Sequence, residues 1–571
     1  MPTVSVNRDL LFSKIGKAYS DDEFDKLCFQ FGIELDEVAE DDDGVEYKID
    51  IPANRYDLLC VEGIATALAV FTGKIEPPRY TKLTPKVKIT TVVSPSTQSI
   101  RPYLVTAVLR NVTITPAAYK SLIDLQEKLH HNICRKRTLV AIGVHDLDKL
   151  TPPFTYSCEP PEQIKFVPLN LDKEWTNARD LMEFYGSDTH LKPYLHIIKD
   201  LPAYPVIRDS SGIVLSLPPI INGDHSKVST STRNIFIEST ATDLSKAHVV
   251  LDTLVAMLSQ YCENKGEVEI TEVVYENRPV DICPKLFTRN MALDVDTVNE
   301  TVGISISAGE MVSTLNRMGL SSQVKNSGQI SVQIPPTRHD IIHTCDIIED
   351  VAIGFGYENI VPQLPPTSTI AAQNSLNKLS FQLANCVAQA GFTEGLTFSL
   401  CSMEDECEKL LQPQATKEPS LVIISNPKSQ DFQVARSSLL PGLLKTVQAN
   451  KGVPLPLKLF EFSDVVHLDS ESDTGAKNCR HFCAIYTNKT PGFEVIHGLL
   501  DRIMQLLEVK FEDEYSLRAA EDPTYFHGRC AEVIYRNEVI GKMGVLHPKV
   551  LSNFGCAMPC SAIEIEIEPF L

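Results

Sequence analysis

The chain has 571 residues, of which 43% are apolar and 22% charged, a composition typical of an ordinary globular protein with roughly three to five domains. Its formal net charge of −21 argues against binding nucleic acid through bulk positive charge, so any RNA contact must be local or rest largely on a partner. We find no apolar run long enough to span a membrane and no signal or transit peptide, and we therefore expect a cytoplasmic protein without membrane contact. The fifteen cysteines form no CxxC pair and are expected to be buried free thiols.

Residues 1–85 read as a small α/β domain. After a short opening strand, apolar spacing predicts an amphipathic helix from Asp21 to Phe31. Ser20 is a suitable N-cap for this helix, and Gly32 is a suitable residue to end it. The acidic stretch 40–44 is predicted to be a solvated loop.

Residues 86–283 show longer strands and helices. The strongest predicted elements are a strand over 104–109, a helix over 117–131 and a buried strand over 139–144. Between the last two stands the basic run Arg135-Lys136-Arg137, which by itself is more typical of a solvated surface than of a binding patch.

The most informative part of this second region is VLSLPPIINGDHSKVSTSTRNIFIE, residues 214–238. It places a Pro218-Pro219 break and a polar segment, 222–225, between two apolar strands, as expected for a pocket that binds a small polar ligand. The alternative is a tight hairpin whose turn is Asn222-Gly223. His225 has the chemistry of a general base, but an exposed loop position is the simpler expectation for it.

Residues 285–362 form the third predicted region. A capped helix begins near Ser307, which has Glu310 three residues later, and ends near Gly319; a strand at 330–334 follows. A helix with clustered carboxylates then begins, and these carboxylates are Asp340, Asp346, Glu349 and Asp350. Two interpretations remain open: Asp346 is an N-cap with Glu349 as its capping-box partner, or the cluster supplies oxygen ligands to Mg²⁺.

A short sequence motif that begins with Ile-Pro occurs twice in the chain. Ile51-Pro52 is followed by Arg55, Asp57 and a helix, and Ile334-Pro335 is followed by Arg338, Asp340 and a helix. We therefore predict that one unit of strand, Arg/Asp turn and helix is used twice.

Residues 370–571 form the largest predicted domain. Apolar spacing predicts helices over 376–390 and 491–507 and strands over 396–400, 421–424, 457–462, 531–535, 539–546 and 563–568. No Gly-x-Gly-x-Gly-x-x-Arg segment appears near the C-terminus.

The phrase IPPTRxDI…DIIEDxAIxxGY, with further features from MPTVSVNRDLLF at the start to EIEIEPFL at the end, resembles the phenylalanyl-tRNA synthetase beta-subunit family of the archaeal and eukaryotic cytosolic type. The resemblance implies a multidomain α+β fold with an editing domain over 86–283, a helix-turn-helix-like metal-binding domain over 285–362, and a class II synthetase-like antiparallel sheet domain over 370–571. The last would lack the catalytic motifs and bind the alpha subunit. The implied activity is ATP-dependent attachment of phenylalanine to tRNA(Phe) by an α2β2 heterotetramer, with hydrolytic editing of tyrosyl-tRNA(Phe).

The resemblance also assigns site residues. Ser216, Asn222 and Glu238 would line the editing pocket, and Asp340, Asp346, Glu349 and Asp350 would hold Mg²⁺. No residue of this chain would catalyse aminoacylation, because the arginines that neutralise ATP phosphates in an active copy are missing. Two other functions stay open: a self-sufficient metal-dependent hydrolase that uses the 340–350 carboxylates, and a non-enzymatic RNA-binding scaffold.

Overall fold

The computed structural model of the chain describes residues 2–41, 44–326 and 328–571. The chain divides into two compact units, residues 1–365 and 366–571, which are called unit one and unit two. Several separate sheets, each packed with its own helices, give a multidomain α+β fold. Of the predicted acidic loop, residues 42 and 43 lie outside the described residues.

The first segment of unit one is a three-stranded sheet covered by helices. Its elements are β1 (Thr3–Asn7), α1 (Arg8–Ile15), α2 (Asp21–Phe31), β2 (Glu34–Asp41), β3 (Gly44–Asp50) and α3 (Val61–Phe71), with sheet order β1-β3-β2. The predicted helix α2 is confirmed at both ends. Ser20 Oγ accepts from Glu23 N–H while the Glu23 carboxylate accepts from Ser20 N–H, and Gly32 ends the helix with φ 89°.

The second segment contains two larger sheets. Its elements are β4 (Thr81–Leu83), β5 (Ile89–Val93), β6 (Tyr103–Leu109), α4 (Pro116–His131), β7 (Val140–Asp146), β8 (Phe154–Glu159), α5 (Ala178–Phe184), α6 (Lys192–Leu195), β9 (Tyr204–Arg208), β10 (Val214–Leu217), β11 (Ile221–Asn222), β12 (Ile235–Ala241), α7 (Leu244–Leu258), β13 (Glu267–Glu269), β14 (Thr271–Tyr275) and β15 (Asp281–Cys283). One sheet has the order β4-β13-β6-β12-β7 and the other the order β11-β10-β9-β8-β5-β14-β15. The predicted strands and helix at 104–109, 117–131 and 139–144 are confirmed as β6, α4 and β7.

The third segment repeats the element order of the first. It consists of β16 (Arg289–Asp294), α8 (Val295–Val302), α9 (Ala308–Arg317), β17 (Ser321–Asn326), β18 (Gln329–Ile334) and α10 (Thr344–Phe355), with sheet order β16-β18-β17. In both segments the strand that precedes the Arg/Asp turn is the central one, and a helix follows the turn. The predicted repeat is confirmed, and it extends over the whole β-α-α-β-β-α unit.

The N-terminus of α10 corrects one interpretation of the carboxylate cluster. The N-cap is His343, whose side chain accepts from Cys345 N–H, and Asp346 is the third helical residue, whose carboxylate accepts from His343 N–H at 2.8 Å. Asp346 is therefore the capping-box partner and not the cap, and Glu349 is an exposed residue further along the helix.

Unit two is built on one mostly antiparallel sheet. Its elements are α11 (Ser375–Gln389), β19 (Thr393–Glu394), β20 (Leu400–Cys401), α12 (Met403–Glu406), α13 (Gln414–Lys417), β21 (Val434–Ala435), α14 (Leu440–Ala449), β22 (Leu457–Leu468), β23 (Ala476–Thr487), α15 (Phe493–Leu506), β24 (Tyr515–Ala520), β25 (Tyr525–Tyr535), β26 (Glu538–Leu546), α16 (Pro548–Asn553) and β27 (Cys560–Glu566). The seven-stranded sheet has the order β19-β22-β23-β27-β26-β25-β24, and separate apolar clusters containing α11 with α15 and α14 with α16 pack against it.

Two predicted strands in unit two are wrong. Only Leu400 of 396–400 lies in a strand, and 421–424 contributes a single bridge, Ile423 to Val434. In the first case a side chain replaces the strand ladder: the Glu461 carboxylate accepts from Thr397 N–H at 3.3 Å and from Thr397 Oγ1 at 2.7 Å. Apolar content alone predicted a strand where Leu396 is 85% exposed.

The cysteines and the apolar character of the helices were the two features on which the composition gave an expectation. All fifteen cysteines are free thiols, and most of them are buried, as predicted. Among the described helices, none combines the length and the apolar character that crossing a membrane requires.

Candidate functional site

A cavity of about 430 Å³ opens in the second segment of unit one, where the edges of its two sheets meet. Ser216, Asn222 and Glu238, the three residues predicted for a pocket, all line it. Ser216 and Asn222 are cross-strand partners on β10 and β11, at the edge of the seven-stranded sheet, whereas Glu238 lies on β12 beside the edge strand β7 of the other sheet. The volume is within the range of small-molecule sites.

The hairpin that carries Ser216 and Asn222 differs from the tight-turn alternative. The turn is formed by Pro218 to Ile220, with Ile220 N–H donating to Leu217 O, and Asn222 lies on the returning strand. Gly223 is needed because the backbone of β10 passes close by: a Cβ there would lie 2.5 Å from Val214 O. The Asn-Gly pair therefore marks a close backbone approach and not a turn.

His225 does not line the cavity and is exposed, as predicted from its place in a loop. Its ring is exposed, and Nε2 is 2.9 Å from the carbonyl oxygen of Lys149.

Glu238 is the most unusual group in the cavity. The residue is only 2% exposed, and its Oε1 accepts from Ser216 Oγ at 2.8 Å. Its Oε2 is buried and has no hydrogen-bond partner among the described residues. Gly143, opposite Glu238 on β7, leaves the room that the carboxylate occupies, since a Cβ there would lie 2.2 Å from Oε1. A buried acceptor without a partner is costly, so the cavity presents a site for a ligand donor.

The sequence did not point to the opposite wall of the cavity, which is formed by Glu127 and His130 of α4 together with Arg137. His130 Nε2 accepts from Ile142 N–H of edge strand β7 at 3.0 Å, so the ring is neutral and its proton lies on Nδ1, 3.8 Å from Glu127 Oε1. Burial lowers the pKa of His130 to about 4. The nearby His130 ring, together with the charge of Arg137, lowers the pKa of Glu127 to about 2.

Arg137 holds this wall in place. It donates from Nη1 to Ile220 O at 3.0 Å and from Nη2 to Glu127 Oε1 at 3.2 Å, and its guanidinium lies 4.3 Å from the centre of the Tyr194 ring. Arg135, Lys136 and Arg137 have φ values of 45°, 51° and 64°, a run of left-handed conformations that is rare outside glycine. The solvated-surface prediction holds for Arg135 and Lys136 but is wrong for Arg137, because the turn directs its side chain into the protein.

The predicted metal ligands form a second candidate site, and the guanidinium group of Arg338 lies at its centre. Arg338 makes a two-pronged ion pair with Asp340 at 2.8 to 3.0 Å, and its Nη2 also donates to Asp350 Oδ2 at 2.7 Å. Burial raises the pKa of Asp350, whereas for Asp340 the attraction of Arg338 outweighs burial and lowers the pKa. The predicted cluster is thus split: two carboxylates are buried on Arg338, Asp346 is the capping-box partner of His343 at the start of α10, and Glu349 faces solvent.

This arrangement does not suit a Mg²⁺ ion bound by all four carboxylates. No three of the four carboxylates place ligand atoms within 4.8 Å of one another in the described part of the chain, and Arg338 occupies the oxygens of Asp340 and Asp350. As a four-carboxylate ligand set, these residues therefore do not fit the ion. Among the described residues, His248, Asp281 and Cys283 do bring three potential ligand atoms within 4.8 Å of one another, but Lys285 Nζ already contacts Asp281 there at 2.5 Å.

The two copies of the repeated turn face each other. Arg55 pairs with Asp57 through two hydrogen bonds of 2.8 and 2.9 Å, the same geometry that Arg338 and Asp340 adopt. Both turns line one small cavity of about 60 Å³. The Arg/Asp pair, which is the sequence signature of the repeat, thus lies where the first and third segments of unit one meet.

Family models match four consecutive stretches of the chain. They are described as the Phe-tRNA synthetase beta subunit B1 domain, over residues 1–74; the B3/4 domain, over 84–263; the tRNA synthetase B5 domain, over 291–357; and the phenylalanyl tRNA synthetase beta chain CLM domain, over 360–567. The cavity with Ser216 and Glu238 lies in the second stretch, and the Arg338 cluster in the third.

Curated relatives match over the full length. The chain is 55% identical to the phenylalanine–tRNA ligase beta subunit of Homo sapiens and 54% identical to that of Drosophila melanogaster, covering 100% of both chains in each case. It is 45% identical to the Arabidopsis thaliana protein named phenylalanine–tRNA ligase beta subunit, cytoplasmic, again over 100% of both. Among solved structures, an N-terminal fragment of the phenylalanyl-tRNA synthetase beta subunit from Pyrococcus horikoshii matches at 31% identity with a TM-score of 0.58, covering 62% of this chain and 99% of the fragment.

Proposed function

The chain belongs to the family of phenylalanine–tRNA ligase beta subunits, and from this membership we propose that it works in the cytoplasm with an alpha subunit, as an α2β2 heterotetramer, on tRNA(Phe). It is a subunit of an aminoacyl-tRNA synthetase, and it supports the charging of tRNA. Within it we assign four functional segments, 1–85, 86–283, 285–362 and 370–571, whose limits are near those of the matching family models.

The cavity in 86–283 is proposed as an editing site that hydrolyses tyrosyl-tRNA(Phe). The observation that carries this proposal is the buried, unpartnered Oε2 of Glu238. A tyrosine phenol donates a hydrogen bond to that oxygen, whereas a phenylalanine ring leaves it unpaired. A site built around a hydrogen bond rejects an analogue without the donor far more strongly than an apolar pocket rejects an added hydroxyl.

Ser216 and Asn222 complete the proposed site. Ser216 Oγ donates to Glu238 Oε1 at 2.8 Å and so fixes the carboxylate, and Asn222, opposite Ser216, brings an amide to the same wall. In the reaction, water adds to the ester carbonyl, the bond from the carbonyl carbon to the ribose oxygen breaks, and the ribose oxygen takes up a proton. The products are tyrosine and uncharged tRNA.

Replacement of Asn222 tests the editing site. In the reconstituted complex, Asn222→Ala should leave phenylalanine charging nearly intact while tyrosyl-tRNA(Phe) persists. Clearance of tyrosyl-tRNA at the unmodified rate would place the pocket elsewhere. If the unmodified complex hydrolyses no ester at all, the non-enzymatic scaffold becomes the better function.

Unit two is proposed as a catalytic-like domain that lacks catalysis and binds the alpha subunit. Glu461 on β22 is fully buried and is held by Arg436 Nη1 at 2.9 Å and by Thr397, so it is committed to the fold. Exposed apolar side chains, including Leu396 and Phe398 at 85% and 79%, provide area for a partner. We expect the isolated chain to make no phenylalanyl adenylate, and phenylalanine-dependent pyrophosphate exchange by this chain alone would refute that assignment.

The geometry leaves two of the four predicted carboxylates available to Mg²⁺, because Asp340 and Asp350 are paired with Arg338. Asp346 and Glu349, one half-buried and the other exposed, remain as carboxylates for an ion that keeps most of its waters. Asp340 and Asp350 would join them only if Arg338 moved away. This split gives no support to a self-sufficient metal-dependent hydrolase.

A further inference from the structure

The proposed editing cavity is lined by two carboxylates that differ in environment. Glu238 is 2% exposed at the inner end of the cavity, whereas the Glu127 side chain is 47% exposed at its rim. A tyrosyl ester carries two groups that donate hydrogen bonds, a neutral phenol at one end and an α-ammonium next to the ester at the other.

The size of the RNA decides the orientation of the ligand. A cavity of about 430 Å³ holds an amino acid side chain but not a tRNA, so the ester must stay at the rim. The ammonium is bonded to the carbon next to the ester carbonyl and therefore stays at the rim as well. The phenol, at the far end of the side chain, is the only donor that reaches the buried Glu238.

Glu127 has the properties that an ammonium site at the rim requires. Oε1 is already engaged by Arg137 Nη2 at 3.2 Å and faces His130 Nδ1 at 3.8 Å, while Oε2 lies 3.7 Å from Nδ1 of the exposed His131 ring. These neighbours lower the pKa of Glu127 to about 2, so the carboxylate is ionised throughout the neutral range. Arg137 also fixes its direction by tying it to the loop at Ile220.

We infer that Glu127 binds the α-ammonium group of the misattached amino acid at the cavity rim, while Glu238 reads the phenol. This assignment rests on the proposed editing function and adds a specificity residue on α4 that the three predicted residues do not include. It requires that loss of the Glu127 charge and loss of the ligand's amino group have the same effect, and that the two losses do not add.

The experiment pairs variants of the reconstituted complex with two tRNA(Phe) esters. One ester carries tyrosine and the other 3-(4-hydroxyphenyl)propionate, which keeps the phenol and lacks the amino group. Hydrolysis is measured at about pH 6.5, below the ordinary pKa of an α-amino group, so that the amine is charged. The variant is Glu127→Gln, and the control is Asp124→Asn, the same chemical change at an exposed position on α4 outside the cavity lining.

We expect the unmodified complex and Asp124→Asn to hydrolyse the tyrosyl ester roughly ten- to a hundredfold faster than the desamino ester, as for a charge-assisted hydrogen bond. Glu127→Gln should lower the ratio of the two rates by about that factor, because it slows the tyrosyl ester and leaves the desamino ester unchanged. A variant that keeps the ratio between the two esters, or that slows both equally, would overturn the inference, because the residue then acts only on the structure of the wall.

Two further readouts separate the possible failures. Unchanged phenylalanine charging by Glu127→Gln shows that the variant complex is folded and assembled. If the unmodified complex clears the tyrosyl ester and Asn222→Ala does not, but the Glu127→Gln ratio is unchanged, only the role of Glu127 is wrong. If the unmodified complex does not clear the tyrosyl ester, the editing function itself is wrong.

Discussion

His130 should make the stability of the second segment depend on pH. Its ring is 2% exposed, and Nε2 accepts from Ile142 N–H, so the folded state holds it neutral. Burial lowers the pKa from 6.5 to about 4, which at about 1.36 kcal/mol per unit amounts to about 3 kcal/mol. Because the folded pKa lies below the unfolded one, this stability is complete above pH 6.5 and is lost as the pH falls towards 4.

The variant His130→Gln isolates this effect, because a glutamine oxygen can accept from Ile142 N–H but does not titrate. Native-state hydrogen exchange of the Ile142 amide, corrected for intrinsic rates, measures the free energy of opening around β7. Between pH 6.5 and 4 the unmodified chain should lose about 3 kcal/mol more than His130→Gln. His131→Gln, at the exposed neighbouring position, should behave as the unmodified chain does. Equal pH dependence in all three proteins would refute the reasoning.

Three other predictions concern the repeated units. Gly63→Ala should lower the melting temperature, because its Cβ would lie 1.8 Å from the backbone oxygen of Asp57, an overpacking that costs about 1–3 kcal/mol; Gly309→Ala, with open space around it, is the matched control and should not destabilise. Arg338→Met should cost about 3–5 kcal/mol in denaturant unfolding by leaving two buried carboxylates without their cation, and a second change, Asp350→Leu, should recover part of the loss; no recovery would mean that the pair is uncoupled. If Asp346 and Glu349 bind Mg²⁺, the ion should raise the melting temperature of the native chain but not that of Asp346→Asn/Glu349→Gln, and equal melting temperatures of the native chain in chelator and in Mg²⁺ would remove the proposal.

Elements with strong local signals could be predicted from the sequence. Helix α2 has its cap, acidic first turn and terminal glycine within the segment itself, and its limits are correct. The Arg/Asp repeat is visible in the sequence because both copies keep the same spacing, whereas its extension to a six-element unit is seen only in the structure. The strands that carry Ser216 and Glu238 have clear apolar patterns, whereas the two residues themselves were assigned by the resemblance to the family.

The other wall of the cavity had no such signal. Arg137 is 83 residues from Ile220 and ten from Glu127, and it reaches both through three consecutive left-handed residues. Nothing in a basic run after a helix indicates that conformation, and its charge suggested solvent. The strand predicted at 396–400 failed for a related reason: a distant buried carboxylate, Glu461, satisfies the backbone that a strand would have paired.

Unit two shows how a sheet domain can commit its buried charges to its own fold. Three consecutive residues each hold one glutamate, of which Glu461 and Glu406 are buried and Glu564 is half-buried. Arg436 pairs with Glu461 at 2.9 Å, and Ser437 and Ser438 donate to Glu406 and Glu564 at 2.6 Å each. Each of these carboxylates lies on a different element, so the segment before α14 connects β22, α12 and β27. A carboxylate that is buried and fully hydrogen-bonded is not free to bind a nucleotide or metal without breaking that connection. This arrangement supports a structural role for these three glutamates, in agreement with the proposal that the adenylate chemistry belongs to a partner subunit.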